Sequence, residues 1–113
     1  MAGEAEPEVP DGASLFPLIP AELDVHPLLL AVLHAVVFLE GSEANVVHPD
    51  AAGEALEYLA TYLQRLRGPE LERVRSDLAC LVEYARQEGW PKVEVQFLKN
   101  FLTDFGVGAE SES

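Results

Sequence analysis

Cysteine is almost absent from this chain of 113 residues, because Cys80 is the only one. A single thiol excludes a disulfide within the chain and a zinc site built from several thiolates. The residues around it, DLACLVEY, are acidic and apolar, whereas a catalytic thiol needs a base and positive surroundings that favour the thiolate. We therefore expect Cys80 to be an inert core residue.

Basic side chains are also scarce, since seven Lys and Arg stand against twenty Asp and Glu, for a net charge of −13. Residues 1–24 contain six of these carboxylates and no Lys or Arg, and residues 106–113 contain two more. A chain with so few cations has little surface that can neutralise several phosphates, and an anionic membrane repels it for the same reason. We expect neither nucleic acid nor a membrane among its partners.

Long hydrophobic runs are missing as well. The longest apolar stretch, Pro27 to Leu39, is interrupted by His34 and is shorter than the ~20 residues that a membrane span needs. The first residues, MAGEAEPEVP, lack the positive and apolar regions of a signal peptide. These features predict a soluble cytoplasmic protein.

Motifs for catalysis or metal binding are not evident in the sequence. It contains no Gly-rich phosphate loop, and its histidines do not follow a metal-binding spacing such as HExxH. His26 and His48 each precede a proline that suits the first position of a helix, and His34 is interpreted as a core or interface residue. We predict no catalytic residue, no metal ligand, no cofactor and no enzymatic activity.

Proline and glycine divide the remaining chain into four pieces that carry apolar side chains at helical spacing. The predicted divisions are Pro27, Pro49, Gly68-Pro69 and Gly89-Trp90-Pro91. Short turns between such helices make neighbours in sequence neighbours in space. The sequence therefore predicts an all-α fold, with a compact four-helix domain at residues 25–106 and disordered acidic tails at residues 1–24 and 107–113.

The first predicted helix, LLLAVLHAVVFLE, is apolar on nearly every side. A helix of this kind belongs in the centre of a bundle. We therefore expect it to be wrapped by the other three helices. If they do not cover it fully, its free side is expected to contact a partner or a second copy of the chain.

Two further stretches are candidate partner-binding sites. The first is the proline-interrupted segment LFPLIP, which we expect to lie on the domain or to bind a partner. The second is a group of arginines around Gly68, which could bind an acidic peptide or a phosphate, or could simply pair with nearby acids. The candidate residues are Leu15, Phe16, Leu18, Ile19, Arg65, Arg67, Arg73 and Arg75.

These observations favour a non-enzymatic protein–protein interaction module, such as a small helical adaptor or regulatory subunit that can also form a homodimer. The alternative is an acidic decoy or inhibitor that binds a basic surface, for example on a nucleic-acid-binding protein or a toxin. A decoy should carry its acids on the folded body, whereas residues 25–105 have twelve acids against seven bases and most of the excess lies in the tails. The interaction module is therefore the preferred hypothesis.

Overall fold

Proline marks the start of each helix in the computed structural model, which describes residues 11–108. Pro27, Pro49 and Pro69 lie in the first turns of three helices, and Pro91 caps the fourth. The first turn of a helix tolerates proline because it leaves backbone N–H groups unused. The helices are α1 (Pro27–Gly41), α2 (Pro49–Leu63), α3 (Gly68–Gln87) and α4 (Lys92–Asp104), preceded by a short 3-10 helix (Ala21–Leu23).

The predicted all-α fold with four helices is confirmed, since residues 11–108 form helices and connecting segments without a strand. The helices pack in sequential pairs, α1 with α2 and α3 with α4. α2 ends at Leu63, before the predicted division at Gly68-Pro69. The Arg67 side chain donates to the backbone carbonyls of Gln64 and Leu66, which stabilises a non-helical connection before Gly68 turns the chain at a φ of 54°.

A histidine side chain caps the N-terminus of two of the helices in the same way. The His26 Nδ1 atom accepts a hydrogen bond from the N–H of Leu28 at 3.1 Å, and the His48 Nδ1 atom accepts one from the N–H of Asp50 at 3.2 Å. Each contact satisfies one of the N–H groups that the first turn leaves free. Val-His-Pro, which occurs at residues 25–27 and 47–49, thus contains a helix-capping histidine in both places.

One apolar cluster joins the four helices, with α3 at its centre. This helix contributes the most buried apolar side chains, whereas α2 contributes half-buried leucines. The leucines of α2 and α3 are all buried or half-buried, whereas Val93 at the start of α4 is 74% exposed. The buried members from the helices are Leu29, Leu33, Val36, Leu78, Leu81, Val82, Ala85, Leu98 and Phe101.

The prediction that the other three helices wrap α1 on all sides is wrong. Leu33 and Val36 are fully buried, but Leu28 is 71% exposed and Phe38 is 36% exposed. A helix that has neighbours on just one side buries a single stripe, whose positions are four and three residues apart. One apolar side of α1 is therefore open.

The segment before α1, which belongs largely to the predicted N-terminal tail, packs on the helices. Phe16 and Val25 are buried in the common core, and Gly12 accepts a backbone hydrogen bond from Glu43 in the α1–α2 connection. At the other end Val107 is buried too. The packed body therefore extends beyond the predicted limits of 25 and 106. Residues 1–10 and 109–113, which make up the rest of the predicted tails, lie outside the described residues.

Candidate interaction surfaces

The open side of α1 is the first candidate surface. Leu28, Ala31, Ala35 and Phe38 follow one another at spacings of three, four and three, which places them on one face of the helix. Three of the four are exposed and Ala35 is half-buried. We call these four residues the α1 outer face. It carries no charged side chain, because α1 has none before Glu40.

An apolar groove continues the outer face at the N-terminal end of α1. It has a volume of about 470 Å³ and lies between α1, the end of α2 and the start of α3. Its apolar lining includes Leu28 and Val32 from α1, Leu63 and Leu66 from α2 and its connection, and Val74 from α3. Side chains from three helices thus form one concave apolar surface.

A buried carboxylate fixes the rim of this groove. Asp77, which is 6% exposed, accepts a hydrogen bond from the backbone N–H of His26 at 3.0 Å. The Arg73 Nε atom donates to the same carboxylate at 3.0 Å, and Arg73 Nη2 donates to the carbonyl of Asp24 at 3.1 Å. Asp24 ends the 3-10 helix with a φ of 58°, an uncommon value outside glycine. This network anchors the start of α1 to α3.

The four arginines that the sequence groups together do not form one basic patch. Arg73 and Arg75 are two positions apart on α3, so they point to nearly opposite sides of the helix. Arg73 pairs with Asp77 and Arg75 pairs with Glu72 at 3.1 Å. Arg65 lies over the ring of Tyr62 at 4.9 Å. These contacts agree with the alternative prediction, in which the arginines pair with nearby groups and interact with helix ends.

A different group of cations comes together between α3 and α4. Arg75, Arg86 and Lys99 line a groove of about 590 Å³, in which Glu83 is the only acidic lining residue among those described. We call it the basic groove. Its remaining lining is largely apolar and consists of Leu78, Ala79, Val82, Leu98, Leu102, Thr103 and Val107.

The sequence contains only part of the signal for the basic groove. Arg75 and Arg86 are eleven positions apart, about three helical turns, and therefore share a face of α3. This pairing could have been found from spacing alone. The contribution of Lys99 depends on how α4 packs on α3, which no local pattern specifies.

The LFPLIP segment is divided between the core and the solvent. Phe16 is 7% exposed, and its ring makes edge-on contacts with His34 at 5.2 Å and Trp90 at 5.7 Å. Leu15 and Leu18 are exposed, and Ile19 is half-buried against the core. Of the two predicted alternatives, the segment lies on the domain, while two of its leucines face outward.

The remaining candidates for chemistry occupy structural positions. Cys80 is half-buried next to the core, and its Sγ atom is 3.9 Å from the carbonyl of Leu23. His34 packs on Phe16, and the other two histidines cap helices. Within residues 11–108, no three His, Cys, Asp or Glu side chains are grouped as a metal site would require. In the same range, no helix has the length and apolarity to cross a membrane.

Comparison with known proteins identifies no relative from which a function could be transferred. No protein-family model matches the chain, and no curated protein or solved structure shows significant similarity to it.

Proposed function

We propose that this protein is a non-enzymatic protein–protein interaction module that binds an amphipathic helix of a partner protein on the α1 outer face and the apolar groove. The observation that carries the proposal is the exposure of Leu28, 71% of whose surface is open to solvent beside a groove lined by apolar side chains. Exposed apolar patches that adjoin concave sites are typical of protein contacts.

The dimensions of the surface favour a helical partner of about three turns. Leu28 and Phe38 are ten residues apart on α1, which corresponds to about 15 Å along the axis. A partner helix with apolar residues at spacings of three and four can lie along this stripe and place one of them in the groove. We expect the groove to receive an apolar side chain from the end of the partner helix that lies beside Leu28.

Charge indicates what surrounds the apolar stripe of the partner. The chain has a net charge of −13, so a second copy approaches against like-charge repulsion, whereas a helix with Lys and Arg beside its apolar stripe is attracted. An exposed acid, Glu70, lies on the groove rim. The preferred partner is therefore an apolar helix with basic flanks.

A synthetic peptide tests this surface directly. We specify a 14-residue helix-forming peptide (a length of about 21 Å at 1.5 Å per residue) with leucines at spacings of three and four and lysines on its polar side, called the Leu–Lys peptide. Replacing Leu28 with Gln removes an apolar side chain that the complex should bury, worth about 1.5–3 kcal/mol. Fluorescence anisotropy should show that L28Q binds the peptide at least about tenfold more weakly than wild type.

Val93 provides a matched control. It is 74% exposed and occupies the second position of α4, just as Leu28 is 71% exposed and occupies the second position of α1. Neither substitution changes the net charge. V93Q should bind the Leu–Lys peptide like wild type, and equal weakening by the two variants would contradict the proposal.

Light scattering separates a hetero-partner from self-association. A monomer that loses peptide binding on L28Q supports the proposed module. A dimer that L28Q dissociates would assign the surface to a second copy of the chain. Binding that disappears at high salt and is insensitive to L28Q would favour the acidic decoy, because attraction between exposed charges is screened.

A further inference from the structure

The basic groove is a second candidate surface, and the charge of its cations is opposite in sign to the net charge of the chain. Three of the seven basic residues of the chain line it, although the chain carries twenty acids. Local charge of this sign, set in a groove, creates a positive field in a surface that is otherwise negative. This concentration calls for an explanation in terms of a ligand.

Two of the three cations are available for a ligand. Within residues 11–108, the side chains of Arg86 and Lys99 have no acidic partner. Arg75 pairs with Glu72, but both side chains are well exposed, and such pairs contribute little to stability. Arg75 can therefore turn toward the carboxylate of a ligand with only a small loss of stability.

The lining of the groove favours a peptide over a nucleic acid. Ala79, which is exposed, and Leu102, which is half-buried, are among the apolar lining residues, and they offer a surface for apolar side chains. A nucleic acid needs many phosphate contacts, whereas the groove supplies three cations in a chain whose net charge is −13. A ligand with a few carboxylates beside an apolar stripe matches both features.

We propose that the basic groove binds an acidic amphipathic helix of a partner protein, at a site separate from the α1 outer face. Arg75 and Arg86 span about 16 Å on α3 at 1.5 Å per residue, the length of three turns of a ligand helix. The carboxylates of the ligand pair with Arg86 and Lys99, and its apolar side chains contact Ala79 and Leu102. The module then joins two partners of opposite charge.

The probe for this site is the Leu–Glu peptide, which has the leucine pattern of the Leu–Lys peptide with glutamates on the polar side. Anisotropy titrations at low salt should show binding to wild type and weakening of up to about fivefold for both K99Q and R86Q, since each removes an exposed cation that the ligand pairs with. Both side chains are exposed, and circular dichroism verifies that the variants are folded.

Lys92 is the matched control. It is exposed on the same helix as Lys99 but lies outside the groove, so K92Q removes the same charge without removing a contact. K92Q should bind the Leu–Glu peptide like wild type. Equal weakening by K92Q and K99Q would show that only net charge matters and would overturn the proposal.

Two competitors and one cross-test complete the experiment. A single-stranded oligonucleotide or a glutamate peptide without leucines that displaces the Leu–Glu peptide equally well would also overturn the proposal. L28Q should leave Leu–Glu binding unchanged, and K99Q should not weaken Leu–Lys binding. Failure at the basic groove is therefore distinguishable from failure at the α1 outer face.

Discussion

At the scale of single residues, Asp77 shows how a charged group can be required in an apolar interior. Its carboxylate accepts from the His26 N–H and from Arg73, both at 3.0 Å. The two donors lie on different parts of the chain, so one side chain connects the start of α1 to α3. The sequence suggested that the arginines pair with nearby acids, but not that the Asp77 carboxylate accepts a bond from the backbone 51 residues away.

Removing this carboxylate should destabilise the fold. Asp77→Ala leaves the His26 N–H and the Arg73 guanidinium without their acceptor, and hydrogen bonds to charged groups contribute about 1.5–3 kcal/mol. Urea unfolding should show a loss of this size. Glu72→Ala, which breaks the exposed pair with Arg75, is the control and should change stability by less than about 1 kcal/mol. Equal effects of the two variants would refute the anchoring role.

Histidine capping gives a second prediction at this scale. His48→Ala removes the acceptor for the Asp50 N–H and should reduce stability by about 0.5–2 kcal/mol. His48→Ser supplies another acceptor at the same position and should restore most of the loss in thermal unfolding. If Ser and Ala behave alike, the hydrogen bond contributes nothing and the cap has a different basis.

At the scale of elements, the helix starts and the α3 stripe could be predicted because their signals are local. Pro27, Pro49 and Pro69 restrict the backbone wherever they occur, and an amphipathic stripe fixes which side of a helix is buried. α1 has no such stripe, since nearly all its residues are apolar. Its sequence therefore could not indicate that Leu28 and Phe38 face outward.

The segment before α1 behaves as an element held by one aromatic anchor. Phe16→Ala removes the ring that contacts His34 and Trp90, and losses of about 3 kcal/mol are typical for a buried phenylalanine. Hydrogen exchange should show faster exchange at Ser14, whose N–H is bonded to Ser42. Leu18→Ala, at a residue 90% exposed, should leave exchange and stability within about 0.5 kcal/mol of wild type; an equal loss there would contradict this account.

At the scale of the whole molecule, the candidate surfaces arise from how helices meet. The apolar groove needs α1, α2 and α3 in place, and the basic groove needs Lys99 of α4 beside Arg86 of α3. Neither combination is contiguous in sequence. Composition could indicate a small acidic helical protein with spare apolar surface, but only packing shows where that surface lies and which cations face one groove.

The proposed binding of a partner helix on the open side of α1 can be mapped residue by residue. The most direct test is a methyl NMR titration of the full chain with the Leu–Lys peptide, because it reports which side chains contact the ligand. We expect the largest changes in chemical shift at the methyl groups of Leu28, Val32 and Leu66, with little change at Val93. Shifts that are scattered over the molecule, or absent from Leu28 while the peptide is bound, would contradict it.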